Sequence, residues 1–419
     1  MTLSLPSQLL DRLAGDRRGL DRALLLVAAG MVSLSFKTAP WQTLHALGWV
    51  LLLAAMVRRG RWDVPGPRRW VLPWALFAGW VLLASALGPD PEEALYDAKK
   101  LLNLLAIFFL GAVLRSATEI RRVLGAACVV SAGLSVLGIY QYLTVSDPIA
   151  TRSHGVSHYM THSGLLMITL ALVLPLLTAR RSLPDRLLWG YAILATLALL
   201  ATLTRSAWMG LAVALGVVLL FKNPRWLLAL PVLVLLPVVA VPALRERAAT
   251  MVDTRTHYSN VRRLEMYRTG LRMVAAHPVL GVGGREQVVR RYDDFDGGPG
   301  GSAVAGGPRV PQETPDHLHD NVLQLAAAFG IPAVLAWLAG LAVWLREVLR
   351  RLPRRGELTD GSGGLRRDLL LASLAGGAAF LTMGLLEYNF GDSEVFVLVA
   401  FTLSIPFILG RSEERSGAA

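Results

Sequence analysis

Runs of about twenty mostly apolar residues recur along nearly the whole chain, and a run of that kind has few ways to fold. It crosses the roughly 30 Å hydrocarbon layer of a bilayer as a helix, because backbone polar groups there must be paired internally. Candidate spans lie near 22–38, 41–57, 70–87, 97–114, 122–143, 162–179, 186–203, 206–221, 226–244, 318–345, 368–386 and 394–410, about twelve in all. The composition agrees, since 54% of the 419 residues are apolar and 17% are charged. The expected fold class is therefore an all-α integral membrane protein. Its expected parts are an N-terminal transmembrane bundle over 1–244, a long outer segment over 245–317 and a C-terminal set of transmembrane helices over 318–419. These would hold about nine spans, none and about three.

The charge pattern orients the spans. Cytoplasmic loops of membrane proteins carry the excess of Lys and Arg, and here the basic residues alternate between loops. One set holds Arg58, Arg59, Arg61, Arg68 and Arg69; then Arg115, Arg121 and Arg122; then Arg180, Arg181 and Arg186; then Lys222 and Arg225; then a basic run from Arg346 to Arg367. The alternate loops, around 39, 88–96, 144–161, 204 and 387–393, are nearly free of them and are expected on the outer side. The Arg-rich segment 245–317 falls on that side too, but long segments escape the rule. Basic residues Arg12, Arg17, Arg18 and Arg22 precede the first apolar run as in a signal peptide. Lys37-Thr38-Ala39-Pro40 is a poor cleavage site, so the run is expected to remain as an uncleaved helix.

The net charge of +12 sits in short loops between apolar runs. It is not collected on one soluble face, as a nucleic-acid partner would require. Cys128 is the single cysteine, which excludes an intrachain disulfide and a Cys-based metal site.

Within the outer segment, "DGGPGGSAVAGGP" at 296–308 reads as a flexible linker. Before it, "SNVRRLEMYRTGLRMVAA" has helical periodicity, with Val261, Leu264, Tyr267, Leu271 and Val274 on one stripe. Pro278, Gly281, Gly283 and Gly284 end that helix. Glu265, Arg268 and Arg272 group on the far side, where ion pairing is the plain explanation. Arg263 borders the apolar stripe, so the segment reads as an amphipathic helix at the outer end of the bundle with Arg263 aimed inward.

The stretch "TPDHLHDNVLQLAAAFGIP", 314–332, places two histidines and two aspartates at the entry to an apolar run. Thr314 and Pro315 suit the N-cap and first position of a helix whose positive end would favour anions. On such a helix His317 and His319 point to roughly opposite sides, so at most one would face a given pocket. Ionisable groups at membrane depth are costly, which favours a function for one of them. Arg205, in the tight outer turn "LTRSAW", and Arg152, in "TRSHGVSHYMTH", add positive potential on the same side. Either could snorkel to lipid headgroups. With Arg263 and the helix end, however, they point to a phosphate-bearing ligand at the outer surface. "GVGGRE" at 281–286 could also cradle phosphate, although glycines after a helix are usually its C-cap.

The order TRSAW, then RRLEMY…HPVLGVG in a long outer loop, then H-x-N-x-L-Q-L followed by G-I-P, resembles the O-antigen ligase and O-antigen polymerase superfamily. The residue-level likeness covers roughly 152–332, and the architecture the whole chain. The resemblance implies a GT-C-like membrane glycosyltransferase without a cofactor. Such an enzyme moves a glycan from an undecaprenyl-diphosphate carrier to a hydroxyl at the periplasmic face of the bacterial inner membrane, with inversion and without a metal. Ligases use lipid A-core as acceptor, and polymerases another carrier-linked unit. The family's functional His falls on His319, with His317 the alternative register. Its hairpin Arg falls on Arg205, its long-loop Arg on Arg263 with Arg262 next, and a less specific basic position on Arg152. Asp320 stands where the family often has Asn, and Ala328 where an acidic residue is frequent.

The chemistry agrees with these residues. Attack of a hydroxyl on an anomeric carbon with a diphosphate leaving group needs a proton acceptor and a stabiliser of the leaving oxygens. Histidine supplies the first near neutral pH, and arginines supply the second. Asp294 and Asp296 of "DDFD" could instead hold a divalent metal, but beside a Gly-rich linker a solvated acidic loop is the simpler reading. A ligase is favoured over a polymerase by the compact outer segment. A transporter or flippase of an anionic lipid-linked substrate is disfavoured because the middles of the spans are almost wholly apolar.

Overall fold

The structure is a computed structural model of the chain. It describes residues 19–59, 68–147, 151–177, 184–250, 258–295, 316–353 and 361–417. Among these residues the protein is all helical. The first part comprises α1 (Leu20–Ser33), α2 (Thr38–Arg59), α3 (Arg68–Ala86), α4 (Pro91–Asp97), α5 (Leu105–Val113), α6 (Ala117–Thr144), α7 (Tyr159–Leu177), α8 (Pro184–Ala201), α9 (Arg205–Lys222), α10 (Leu230–Ala240) and α11 (Pro242–Ala249). Then come α12 (Tyr258–Ala276), α13 (Arg285–Arg290), α14 (Tyr292–Phe295), α15 (Asn321–Phe329), α16 (Ile331–Arg351), α17 (Gly361–Gly384) and α18 (Ser393–Gly417).

Seven described helices are long and apolar enough to cross a membrane, or up to eight if a bent pair counts as one span. The expected number was about twelve. Helices occupy the remaining expected positions, but they are short, or broken, or fall below that apolarity. The run at 97–114 enters as a 3₁₀ turn, Ala98–Leu104, before α5. The run at 226–244 starts as a 3₁₀ turn, Pro224–Ala229, and bends by 110° between α10 and α11, where Pro242 cannot continue the backbone ladder. Helices α7 and α18 are apolar all round because they lie in the middle of the bundle, 83% and 89% buried over their apolar windows. Small residues let their neighbours in. Gly377 of α17 receives the Trp344 ring, and Gly340 of α16 receives Trp74, the close approach that drives packing where lipid offers no hydrophobic force.

The run 318–345 is two helices, in contrast to the single span expected. Thr314 and Pro315 lie outside the described residues, 316–320 is not helical, and the helix begins at Asn321. Asp320 is its N-cap, its carboxylate accepting from the Leu323 amide at 2.7 Å. An Asx cap that satisfies an orphan amide stops the helix from extending back through the histidines.

At its other end α15 stops at Gly330, φ +83°, and the chain turns into α16. The carbonyls left open there are taken by the glycine-rich stretch after α12. The Val282 amide donates to Ala327 at 2.8 Å, the Gly283 and Gly284 amides to Ala328 at 3.1 and 3.0 Å, and Trp80 Nε1 to Phe329 at 3.0 Å. These amides of "GVGG" therefore cap a helix rather than cradle a phosphate.

Helix α12 is also turned from its expected phase. Met266, Thr269, Gly270 and Met273 are buried, while Leu264 and Leu271 are exposed. Gly270 decides the rotation, since it is where Leu318 and Leu323 press against the backbone.

The Gly330 turn makes a direct prediction. A Cβ at Gly330 would strike the Val279 carbonyl and would stand at a positive φ. Gly330→Ala is expected to cost roughly 1–3 kcal/mol, read as a lower unfolding midpoint in detergent.

Candidate functional site

Where α7 and α18 begin and α17 ends, the chain forms a half-open cavity of about 930 Å³, walled further by α12, α13 and 316–319. Its centre is a carboxylate that sequence reasoning did not single out, Glu387, which is 3% exposed. Oε2 of Glu387 lies 2.7 Å from Nδ1 of His319, and Oε1 accepts from Nη2 of Arg263 at 2.5 Å. A carboxylate can only accept, so in the neutral tautomer of His319 that fits this contact the proton sits on Nδ1 and Nε2 carries the lone pair.

Local folding holds His319 there. Its φ of +52° lies in the left-handed region, which costs a residue with a Cβ about 1–2 kcal/mol. The flanking bonds offset this. The Leu318 amide donates to Gln324 Oε1 at 2.8 Å, and Tyr267 Oη donates to the His319 carbonyl at 3.3 Å. Asn321 then ties α15 to the Glu387 loop: its Nδ2 donates to Asn389 Oδ1 at 2.7 Å, and its Oδ1 accepts from the Phe390 amide at 3.0 Å. Gly384 leaves the room that Asn321 occupies.

The two histidines are not on opposite faces of a helix. Both precede the cap, both line the cavity, and their rings are 4.2 Å apart. The expectation that only one could face the pocket fails because it rested on helical phase, and Asp320 ends the helix before reaching them. His317 Nδ1 accepts from the His319 amide at 3.2 Å, which commits one ring nitrogen to the backbone. Burial first, then the neighbouring basic groups His319, Arg285, Arg263 and His158, push His317 from 6.5 down to about 3.

Arg262 and Arg263 line the same cavity. Arg262 also pairs with Glu265 at 3.7 Å and stands over the Tyr292 ring. Arg205, the first residue of α9, stands behind the cavity wall. Its guanidinium donates to Thr250 Oγ1 at 3.0 Å, Ser259 Oγ at 3.3 Å and Asn260 Oδ1 at 2.9 Å, and of these residues Ser259 lines the cavity. Arg152, at φ +45°, stacks over the Tyr159 ring at 4.4 Å, and Tyr159 is a wall residue. Asp294 pairs with Arg291 at 3.3 Å and does not line the cavity. Asp296 lies outside the described residues.

The opposite wall carries further groups. Asp392 receives a hydrogen bond from Thr161 Oγ1 at 2.6 Å, and burial raises its carboxyl above the usual range. Burial lowers His158, with Arg152 and His319 acting the same way and Glu387 and Asp316 opposing. The signal for this wall was present in "LEYNFGDSE", 386–394, where three carboxylates interrupt two apolar helices.

Residues 190–338 match the O-antigen ligase family. The match supports the superfamily of O-antigen ligases and polymerases for this chain. It takes in Arg205, Arg262, Arg263, His317 and His319, and it ends before Glu387. No curated protein gives a significant match to the chain.

The displaced His317 links site and stability. The unfolded chain takes up a proton near 6.5 that folded His317 refuses until about 3. Stability is thus lost as pH falls below about 6.5, by at most about 1.4 kcal/mol per pH unit. His317→Gln is expected to flatten the fall of the unfolding midpoint between about pH 7 and 5.

Proposed function

We propose that this protein is an O-antigen ligase of the bacterial inner membrane, with about twelve spans and its cavity facing the periplasm. It transfers O-antigen polysaccharide from undecaprenyl diphosphate to a sugar hydroxyl of lipid A-core. The observation that carries the reading is the Arg263–Glu387–His319 constellation on a cavity large enough for two glycan ends. The alternating Lys and Arg pattern supports the outward orientation.

In this mechanism the acceptor oxygen attacks the anomeric carbon of the donor, the bond from that carbon to the phosphate oxygen breaks, and its electron pair leaves with the diphosphate. The acceptor's proton passes to Nε2 of His319. Glu387 holds the Nδ1 proton and stabilises the imidazolium that forms, as an orienting carboxylate does. Arg263 and Arg262 meet the leaving diphosphate, taking the place of a divalent metal. Arg205 holds the start of α12 and so keeps both arginines over the cavity, and Arg152 adds positive potential from behind Tyr159. Attack opposite the leaving group inverts the anomeric centre.

Reconstituted protein with carrier-linked glycan and lipid A-core tests this. His319→Ala and Glu387→Gln are expected to lower transfer per folded protein about 10²–10⁴-fold, Glu387→Gln also lowering the unfolding midpoint because it leaves Arg263 without its anion, and wild-type activity is expected to persist in EDTA. Activity rescued only by Mg²⁺ or Mn²⁺ would overturn the arginine mechanism. Loss of the gene is expected to leave lipid A-core bare while long carrier-linked polymer accumulates. A core capped by a single repeat unit would instead identify a polymerase.

A further inference from the structure

One cation of the cavity is not absorbed by that mechanism. Arg263 is paired with Glu387, Arg262 with Glu265, and Lys100 with Asp97 at 2.6 Å. Arg285 has no ion pair among the described residues, and its Nε is buried without a hydrogen-bond partner there. A buried N–H left without an acceptor is costly, and the rest of the partly exposed guanidinium lines the cavity, where an anion can meet both.

Its position is built. Gly283 packs against Gly88 and Pro89, and Gly284 against Ala94, which fixes the backbone just before Arg285. The side chain lines both the large cavity and an adjoining apolar pocket of about 80 Å³, whose walls include Phe77, Leu101, Phe329 and Phe390. The apolar wall lowers the local dielectric and strengthens any anion contact made there.

Arg285 and Arg263 both line the cavity that holds the histidines. From Arg263 the contacts run to Glu387, His319 and His317, whose ring is 5.9 Å from that of Tyr388. Arg285 lines the adjoining pocket together with Tyr388, at the far end of this series, and its charge acts on Tyr388 and His317.

We propose that Arg285 is a second anion site, which holds a phosphate monoester of the acceptor on the opposite side of the histidines from the donor diphosphate. The assignment to the acceptor rests on the transferase reading above. The anion site itself does not.

Two arms test it, with the full chain in uncharged detergent. In the first, binding of methyl phosphate and of inorganic pyrophosphate is followed by tryptophan fluorescence. Arg285→Ala is expected to weaken methyl phosphate about tenfold, Arg285→Lys to recover part of this, and both to bind pyrophosphate as the wild type does. Unchanged methyl phosphate binding in Arg285→Ala, at a wild-type unfolding midpoint, would overturn the site. Arg285→Gln replaces it if the alanine variant fails to fold.

In the second arm, the KM for a phosphorylated core oligosaccharide is expected to rise about tenfold in Arg285→Ala, while the KM for the donor and the rate with phosphatase-treated acceptor stay unchanged. A rise in donor KM instead would overturn the assignment to the acceptor. Absence of all transfer by the wild type would sink the transferase reading and leave the first arm to judge the site.

Discussion

Glu387 is the interaction on which the site depends. A carboxylate that is 3% exposed survives in a protein only when its charge is met on both oxygens. Here one oxygen meets the His319 ring and the other the Arg263 guanidinium. The three residues come from the loop between α17 and α18, the turn before α15, and α12. Meeting that one charge therefore brings together segments separated by 124 and 68 positions along the chain. It also sets the imidazole tautomer and aims the guanidinium, so folding and chemistry use the same bonds.

The short helix α15 is the second part of the device. Its first turn is closed by Asp320, and its last carbonyls by amides of 282–284 and by Trp80. A helix of nine residues would be marginal alone. Held at both ends, it carries the histidine turn as a rigid arm, and Asn321 locks that arm to the Glu387 loop. The positive φ of His319 is sustained because each flanking bond is already fixed by this frame.

Much was legible in advance. Apolar runs announced a helical membrane protein, Arg263 was expected to point inward, and the C-terminal end of α12 followed from Pro278 and the glycines after it. What misled was helical phase carried past its limits. Residues 314–320 contain residues that suit a helix start at either end, and only Asp320 can be seen to cap. The stripe on α12 was drawn from apolar residues alone, whereas a glycine and a threonine face inward because the neighbouring Leu318 and Leu323 need room. Glu387 went unremarked because a carboxylate in a short outer loop reads as solvated until its partners are known.

The sequence by itself determined the solvent of this protein, its helical class and the residue types available for phosphate and proton chemistry, because these follow from hydropathy, spacing and side-chain chemistry within short windows. The tertiary structure alone decided that both histidines share one cavity, that Arg263 meets a carboxylate, that Arg205 stands behind the wall, and that Arg285 has no ion pair among the described residues. Those outcomes depend on charges brought together across distant segments, and the burial that makes their pairing obligatory exists only once the helices have packed.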